Sequence, residues 1–231
     1  MTQWAIVPYR EHALQKSRLA PRVTADTRRA LARAMLRDVV DALRRTPRID
    51  TVLVVGDGTS LLPIGSASEQ PAAECRVLTT DAPLNRAVTL ALRAAEQGGA
   101  RAALIAHADL PLLNTSAVQA FLALAAPADD ARTAAIAPCQ RADGTSLLWL
   151  PLPAPIAVDY GPGSFLRHVR SLLAVGYSVQ VGPRQPDLDL PDDLGALLVS
   201  EALDPQSETA KVLAAVVAGR EPGLVRGRHA Q

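Results

Sequence analysis

The sequence predicts an α/β fold built on a mainly parallel sheet, on three observations. Short apolar runs alternate with helical patterns along all 231 residues, the order produced when each strand is followed by a crossover helix. Several runs are apolar without interruption, as strands covered on both faces are. No internal repeat or low-complexity block breaks the pattern, and an apolar content of 48% is ample for one large core. The expected organisation is a single domain over residues 1–219 followed by a flexible tail at 220–231.

In chain order, strands are expected at "WAIVP" (4–8), "TVLVVG" (51–56), "CRVLT" (75–79), "AALIAHA" (102–108), "AAIAP" (134–138), "SLLWLP" (146–151) and "YSVQVG" (177–182). The strongest helix is 24–45: Thr24 or Asp26 can cap it, and Leu31, Met35, Val39 and Leu43 recur every four residues on one face, which is expected to pack on the sheet. Weaker helices follow at 84–98, 115–126, 164–175, 191–202 and 207–218, and Pro191 suits the first turn of the fifth. The Ala- and Pro-rich stretches 63–74 and 126–132 read as surface loops, because apolar patterning resumes at once after each.

A net charge of +1 with mixed signs offers no basic stripe to a nucleic acid or an anionic membrane. A small-molecule partner fits better. No apolar run is long enough for a signal peptide or a membrane span, so a cytoplasmic protein is expected. Cys75 and Cys139 lack metal-ligand spacing, and His12, His107, His168 and His229 form no sequence cluster. Of 24 basic residues only Lys16 and Lys211 are lysine, which marks them as places where a guanidinium does not serve.

Ligands of open α/β sheets sit at the carboxyl ends of the parallel strands, so the residues just after each run are the informative ones. After the first strand, "PYREHALQKSRLAP" carries Arg10, Lys16 and Arg18; it suits phosphates without being a P-loop or a dinucleotide fingerprint, and a solvated charge run is the plain alternative. "GDG" at 56–58 has no following GxxG and reads as a turn. In "LIAHADLPLL" an apolar strand delivers Asp109, a carboxylate placed as Mg²⁺ requires or else the start of a turn before Pro111. In "PDLDLPDDL", Asp187 and Asp189 share a face of an extended segment, while Asp192 and Asp193 suit the positive end of the next helix. "YGPGSFLRH" opens a helix after two glycines: either an anion seat or a tight turn in which Ser164 is the N-cap. "ADGTSLLWLP" adds Gly144, Thr145 and Ser146 as neutral donors.

In this order, "PYR", "QKSRL", "PLN", "ADLPLL", "DGTSLL", "YGPGSFLRH" and "DLDLPDDL", covering about residues 4–198, resemble the CofC-type guanylyltransferases, which make the side-chain donor of the deazaflavin coenzyme. The resemblance implies a glycosyltransferase-A-like nucleotidyltransferase fold, GTP as donor, Mg²⁺ as cofactor, and a small phosphorylated carboxylic acid as acceptor: phosphoenolpyruvate, 2-phospholactate or 3-phosphoglycerate. Carried over by position, it implies that Asp109 and Asp189 hold the metal and that Thr145, Gly161 and Ser164 contact the acid. Lys16 and Arg18 fall where the family meets the triphosphate, and Pro8, Asn85 and Asp109 fall among the nucleotide contacts. It also implies hand-over of the product to the next enzyme of the pathway; nothing in the sequence fixes an oligomeric state. Departures fall at Tyr9, Arg10, Pro83, Arg86, Ser146 and Leu190, and bear on the guanine contacts and on the choice of acid.

Two other readings compete with this one. A molybdopterin or sugar nucleotidyltransferase of the same fold would show a glycine-rich loop after the first strand, where this chain has "PYREHALQKSRL". A non-catalytic nucleotide-binding module would be expected to have lost the acidic pair, and both Asp109 and Asp189 are present.

Overall fold

Seven strands form one sheet: β1 (Gln3–Tyr9), β2 (Thr51–Gly56), β3 (Glu74–Thr79), β4 (Ala102–Ala106), β5 (Thr133–Pro138), β6 (Thr145–Pro151) and β7 (Ser178–Val181), in the spatial order β3-β2-β1-β4-β6-β5-β7. The computed structural model describes residues 2–10, 16–57, 73–125 and 132–218. Of the expected loops at 63–74 and 126–132, residues 63–72 and 126–131 lie outside those residues, as do His12, Gly58 and the tail at 220–231; Glu74, expected in the first loop, already begins β3.

All pairings are parallel except those of β6, which runs antiparallel to both β4 and β5. That reversal matters for the site, because the start of β6 falls at the edge where β1, β4 and β5 end. Thr145 pairs with Pro138, and the His107 N–H continues the ladder to the Ser146 carbonyl at 3.1 Å. The unbroken apolar runs are interior strands: β1, β2, β4 and β5 are buried throughout, whereas the edge strands β3 and β7 are partly exposed. Gly56 ends β2 so close to β1 that any Cβ would meet the Tyr9 carbonyl oxygen at 1.6 Å, so only glycine fits.

Helices α1 (Ala25–Arg44) and α3 (Thr115–Leu124) cover one face; α2 (Leu84–Gln97) and α4 (Ser164–Ala174) cover the other. Helices α5 (Pro191–Leu198) and α6 (Glu208–Val217) pack beside α1. Thr24 caps α1 by accepting the Thr27 N–H at 3.3 Å, and Asn114 and Ser207 cap α3 and α6 likewise.

Two expectations are corrected, and one alternative falls away. The stripe on α1 divides: Val39 and Leu43 pack on the sheet, while Leu31 and Met35 pack with Leu188, Leu194, Leu197 and Leu213 against α5 and α6. A helix of 20 residues is about 30 Å long and overruns the sheet it covers. The fifth helix stops at Leu198 rather than residue 202, because the Ser200 hydroxyl accepts the Ala202 N–H and turns the chain. Of the two readings of Ser164, the cap does not hold: Gly163 takes that position with φ +74°, and Ser164 is the first helical residue.

Candidate active site

The loop after β1 returns through a short 3-10 turn (Ser17–Leu19), and Lys16 precedes that turn with φ 54° and ψ 35°. This left-handed backbone costs a non-glycine residue about 1 kcal/mol. It is offset by what the side chain reaches: Nζ lies 2.6 Å from Asp109 Oδ2 and 4.0 Å from Asp189 Oδ1. Arg18 donates to Asp189 Oδ2 at 2.7 Å. Asp109 sits three residues beyond the end of β4, and its carbonyl accepts the Leu188 N–H at 3.2 Å, which ties the 187–189 segment to it. Lys16, Arg18, Asp109 and Asp189, from three distant parts of the sequence, therefore share one cluster of charge.

Burial alone would push the Asp109 carboxyl up, but the adjacent Lys16 ammonium, with smaller help from His107 and the backbone, holds Asp109 below the ordinary carboxylate value. Asp187 goes the other way, raised by burial and then by the charge of Asp109. Arg141, in the β5–β6 connection, bonds Asp193 at 3.1 Å and Asp187 at 3.2 Å and approaches Asp189 at 3.9 Å. Sequence reasoning missed Arg141. It follows a strand at the carboxyl edge, the same signal that singled out Asp109.

Between these groups lies a cavity of about 260 Å³ lined by Pro8, Tyr9, Arg10, Lys16, Met35, His107 and both aspartates, among others. Pro8, Lys16, Asp109 and Asp189 are thus brought to one cleft, with Arg18 at its rim. Lys211, the other lysine, makes an exposed pair with Glu208 away from this cleft.

Thr145, Ser164 and Gly161 gather at the neighbouring part of the same edge. The Thr145 N–H donates to Ser164 Oγ at 3.1 Å, and Ser164 Oγ donates to Thr145 Oγ1 at 3.3 Å. Ser164 and Phe165 give their N–H groups to the Gly161 and Asp143 carbonyls, and the Arg167 guanidinium straps the glycine turn through Pro162 O and Asp159. The helix start is therefore less bare than its sequence reads, and the hydroxyl pair is its chemical feature. Asn85 stands apart from the charged cluster: its carboxamide accepts the Tyr160 N–H at 2.7 Å and donates to the Tyr160 carbonyl at 3.2 Å. That clamp fastens the 159–164 turn to the start of α2.

His168 completes the group, with Nδ1 3.0 Å from Thr145 Oγ1 and Nε2 accepting the Asp159 N–H at 2.9 Å. Burial pushes it down to about 4, so it is neutral near neutral pH. The unfolded chain, with an ordinary value of 6.5, binds more protons between those limits, so stability rises with pH there. The contribution is full above pH 6.5 and is lost as pH falls toward 4, on the order of 2–3 kcal/mol. Urea midpoints measured from pH 7.5 to 4 are expected to fall less steeply for His168→Gln than for the native chain; parallel profiles would contradict this.

Comparison with known proteins accords with the geometry. Residues 3–209 match the family described as guanylyl transferase CofC like. A phosphoenolpyruvate guanylyltransferase of Conexibacter woesei is 34% identical over 85% of this chain and 87% of its own, and one of Rubrobacter xylanophilus is 36% identical over 87% and 95%. A 2-phospho-L-lactate guanylyltransferase of Methanosphaerula palustris is 33% identical over 86% and 85%. Among solved structures, a protein described as a nucleotide-diphospho-sugar transferase of Desulfovibrio desulfuricans superposes with a TM-score of 0.73 over 94% of this chain and 96% of its own, at 19% identity. A 4-diphosphocytidyl-2C-methyl-D-erythritol synthase of Anaerococcus prevotii gives 0.54 at 12% identity, over 83% and 94%. These two share the fold, the one expected for a nucleotidyltransferase. With a family match spanning nearly the whole described sheet and its helices, the chain belongs to the CofC-like guanylyl transferases and is a nucleotidyltransferase.

Proposed function

We propose that this chain transfers GMP from GTP to the phosphate of a small phosphorylated carboxylic acid, with phosphoenolpyruvate, 2-phospholactate and 3-phosphoglycerate as the candidate acceptors. The observation that carries this reading is the Lys16–Asp109–Asp189–Arg18 cluster at the carboxyl edge of the sheet, facing a cleft beside the Thr145–Ser164 pair. An acceptor phosphate oxygen attacks the α-phosphorus of GTP; the bond to the bridging oxygen of the β-phosphate breaks, and pyrophosphate leaves with that electron pair. A phosphate is already anionic near neutral pH, so no general base is required, which suits a site whose histidines are buried and neutral. Lys16 and Arg18 neutralise charge on the triphosphate, and Pro8, which lines the cleft, faces the nucleotide; Asn85, whose carboxamide is committed to Tyr160, acts on the nucleotide side only through the turn that it fastens.

The donor set fits Mg²⁺. Asp109 and Asp189 present carboxylate oxygens to one point, where the Lys16 ammonium lies against both, and a hard cation takes such oxygens together with phosphate. Asp109 and Asp189 would hold the ion. When bound, it supplies neutralisation of the developing pyrophosphate charge. Among the described residues no group of three or more His, Cys, Asp or Glu side chains forms a site able to hold a metal unaided, consistent with a metal that arrives with nucleotide.

The product would pass to the next enzyme of deazaflavin coenzyme biosynthesis. No described helix is long and apolar enough to cross a membrane, and the two free cysteines accord with a reducing, cytoplasmic setting. Offered GTP, Mg²⁺ and each acid in turn, the protein is expected to release pyrophosphate with at least one acid and to stop when the metal is chelated. Inactivity with all three, in folded protein, would overturn the proposal; a preference for CTP or ATP would overturn only the choice of base.

A further inference from the structure

We infer that His168 is a positioning residue that fixes the Thr145–Ser164 hydroxyl pair as a hydrogen-bond donor toward an anionic oxygen of the acceptor. The inference rests on the proposed reading that this pair meets the acid. His168 is only 1% exposed, and its ring bonds are assigned from geometry. The backbone N–H of Asp159 can only donate, so Nε2 of His168 accepts and carries no proton; in the neutral ring the proton is then on Nδ1 and is given to Thr145 Oγ1.

Proton counting on the two hydroxyls gives the consequence. Ser164 Oγ already accepts the Thr145 N–H, Thr145 Oγ1 already accepts from His168, and one hydroxyl proton serves the bond between the two oxygens. Two hydroxyls hold two protons, so one is left over, and no acceptor for it exists among the described residues. The residues are 3% and 1% exposed, and a buried donor without an acceptor is costly. A ligand that only accepts, such as a carboxylate or phosphate oxygen, completes the set.

A second observation points the same way. The Tyr160 ring lies 5.0 Å from that of His168 and 4.9 Å from that of His107, centroid to centroid, and the Tyr160 hydroxyl and His107 Nε2 are both buried without a partner. Tyr160 is itself 7% exposed. Two polar groups left unpaired around the Tyr160 ring, which packs on His168, suit a place that a ligand completes.

Two substitutions separate the two ends of the ring. His168→Asn places an amide N–H near Nδ1 and can still donate to Thr145; His168→Gln places a carbonyl near Nε2 and loses that donor. With phosphoenolpyruvate as acceptor, or whichever of the other two acids is turned over, His168→Gln is expected to raise the acceptor KM about tenfold or more while the GTP KM moves less than about twofold. His168→Asn is expected to restore most of the loss. Equal effects of both variants on both KM values would overturn the inference, as would no effect of His168→Gln. Thr145→Val tests the underlying reading separately: if it leaves the acceptor KM unchanged, the pair does not meet the acid at all, whereas a raised KM with an inert His168→Gln sinks only the role of His168. Should either histidine variant fail to fold, the ¹⁵N resonances of the native His168 ring decide, because the inference requires the Nδ1-protonated neutral tautomer, and an Nε2-protonated ring would contradict it.

Discussion

Asp109→Asn is expected to lower turnover by roughly two to three orders of magnitude while leaving the fold intact. The substitution keeps the shape of the side chain and removes its charge. The Lys16 ammonium then loses its partner at 2.6 Å and keeps only Asp189 at 4.0 Å, so it swings toward Asp189, and the cleft loses one of the two carboxylates proposed to hold the metal. Stability should change little, because two effects oppose each other. The ion pair is partly exposed, with side chains 10% and 30% accessible, and its loss costs about 1–2 kcal/mol. Removing the Asp109 charge also relieves its repulsion of Asp187, whose carboxyl is raised partly by that neighbour. Steady-state rates at limiting Mg²⁺, alongside a melting curve, check the prediction; near-native turnover would remove Asp109 from the metal site.

Lys16→Arg is expected to be nearly as damaging as Lys16→Met, about a hundredfold or more in kcat/KM for GTP. A compact ammonium fits between Asp109 and Asp189, and it does so from a left-handed backbone that aims a flexible stem inward. A guanidinium is a planar fork that pairs side-on with one carboxylate and would occupy the space proposed for the triphosphate. The chain uses arginine almost everywhere else, including Arg18 and Arg141 at the rim of the same cluster. Parallel measurement of both variants is informative: an active Lys16→Arg enzyme would reduce Lys16 to a generic positive charge.

Most of this architecture was legible in the sequence because the interior strands are unbroken apolar runs and the helices carry one-sided periodicity. "TVLVVG" and "AAIAP" read as buried strands, and they are. What was not legible depends on direction and on distant partners. Apolar patterning has a period and no arrow, so the antiparallel course of β6, which carries Thr145 to the carboxyl edge, left no trace in "SLLWLP". The face of α1 read as uniform because its two packing partners are both apolar, although one is the sheet and the other the pair α5 and α6. Ser164 could be read as a cap or as part of an anion seat, because serine next to glycine suits both; its hydroxyl pairs with Thr145, 19 residues away in sequence. Asn85 likewise carries no local sign that its carboxamide clamps Tyr160. The charged residues fared better, since Lys16, Arg18, Asp109 and Asp189 follow strand ends or share a motif, and they meet in one cleft.

The central claim is group transfer to a phosphoacid rather than hydrolysis, and proton-decoupled ³¹P NMR of a single reaction tests it most directly. With GTP, Mg²⁺ and the acid that supports turnover, the account predicts pyrophosphate together with two mutually coupled doublets from an unsymmetrical diphosphate, formed as the acid's own phosphate resonance disappears. Accumulation of GMP or GDP with the acid resonance unchanged would contradict it.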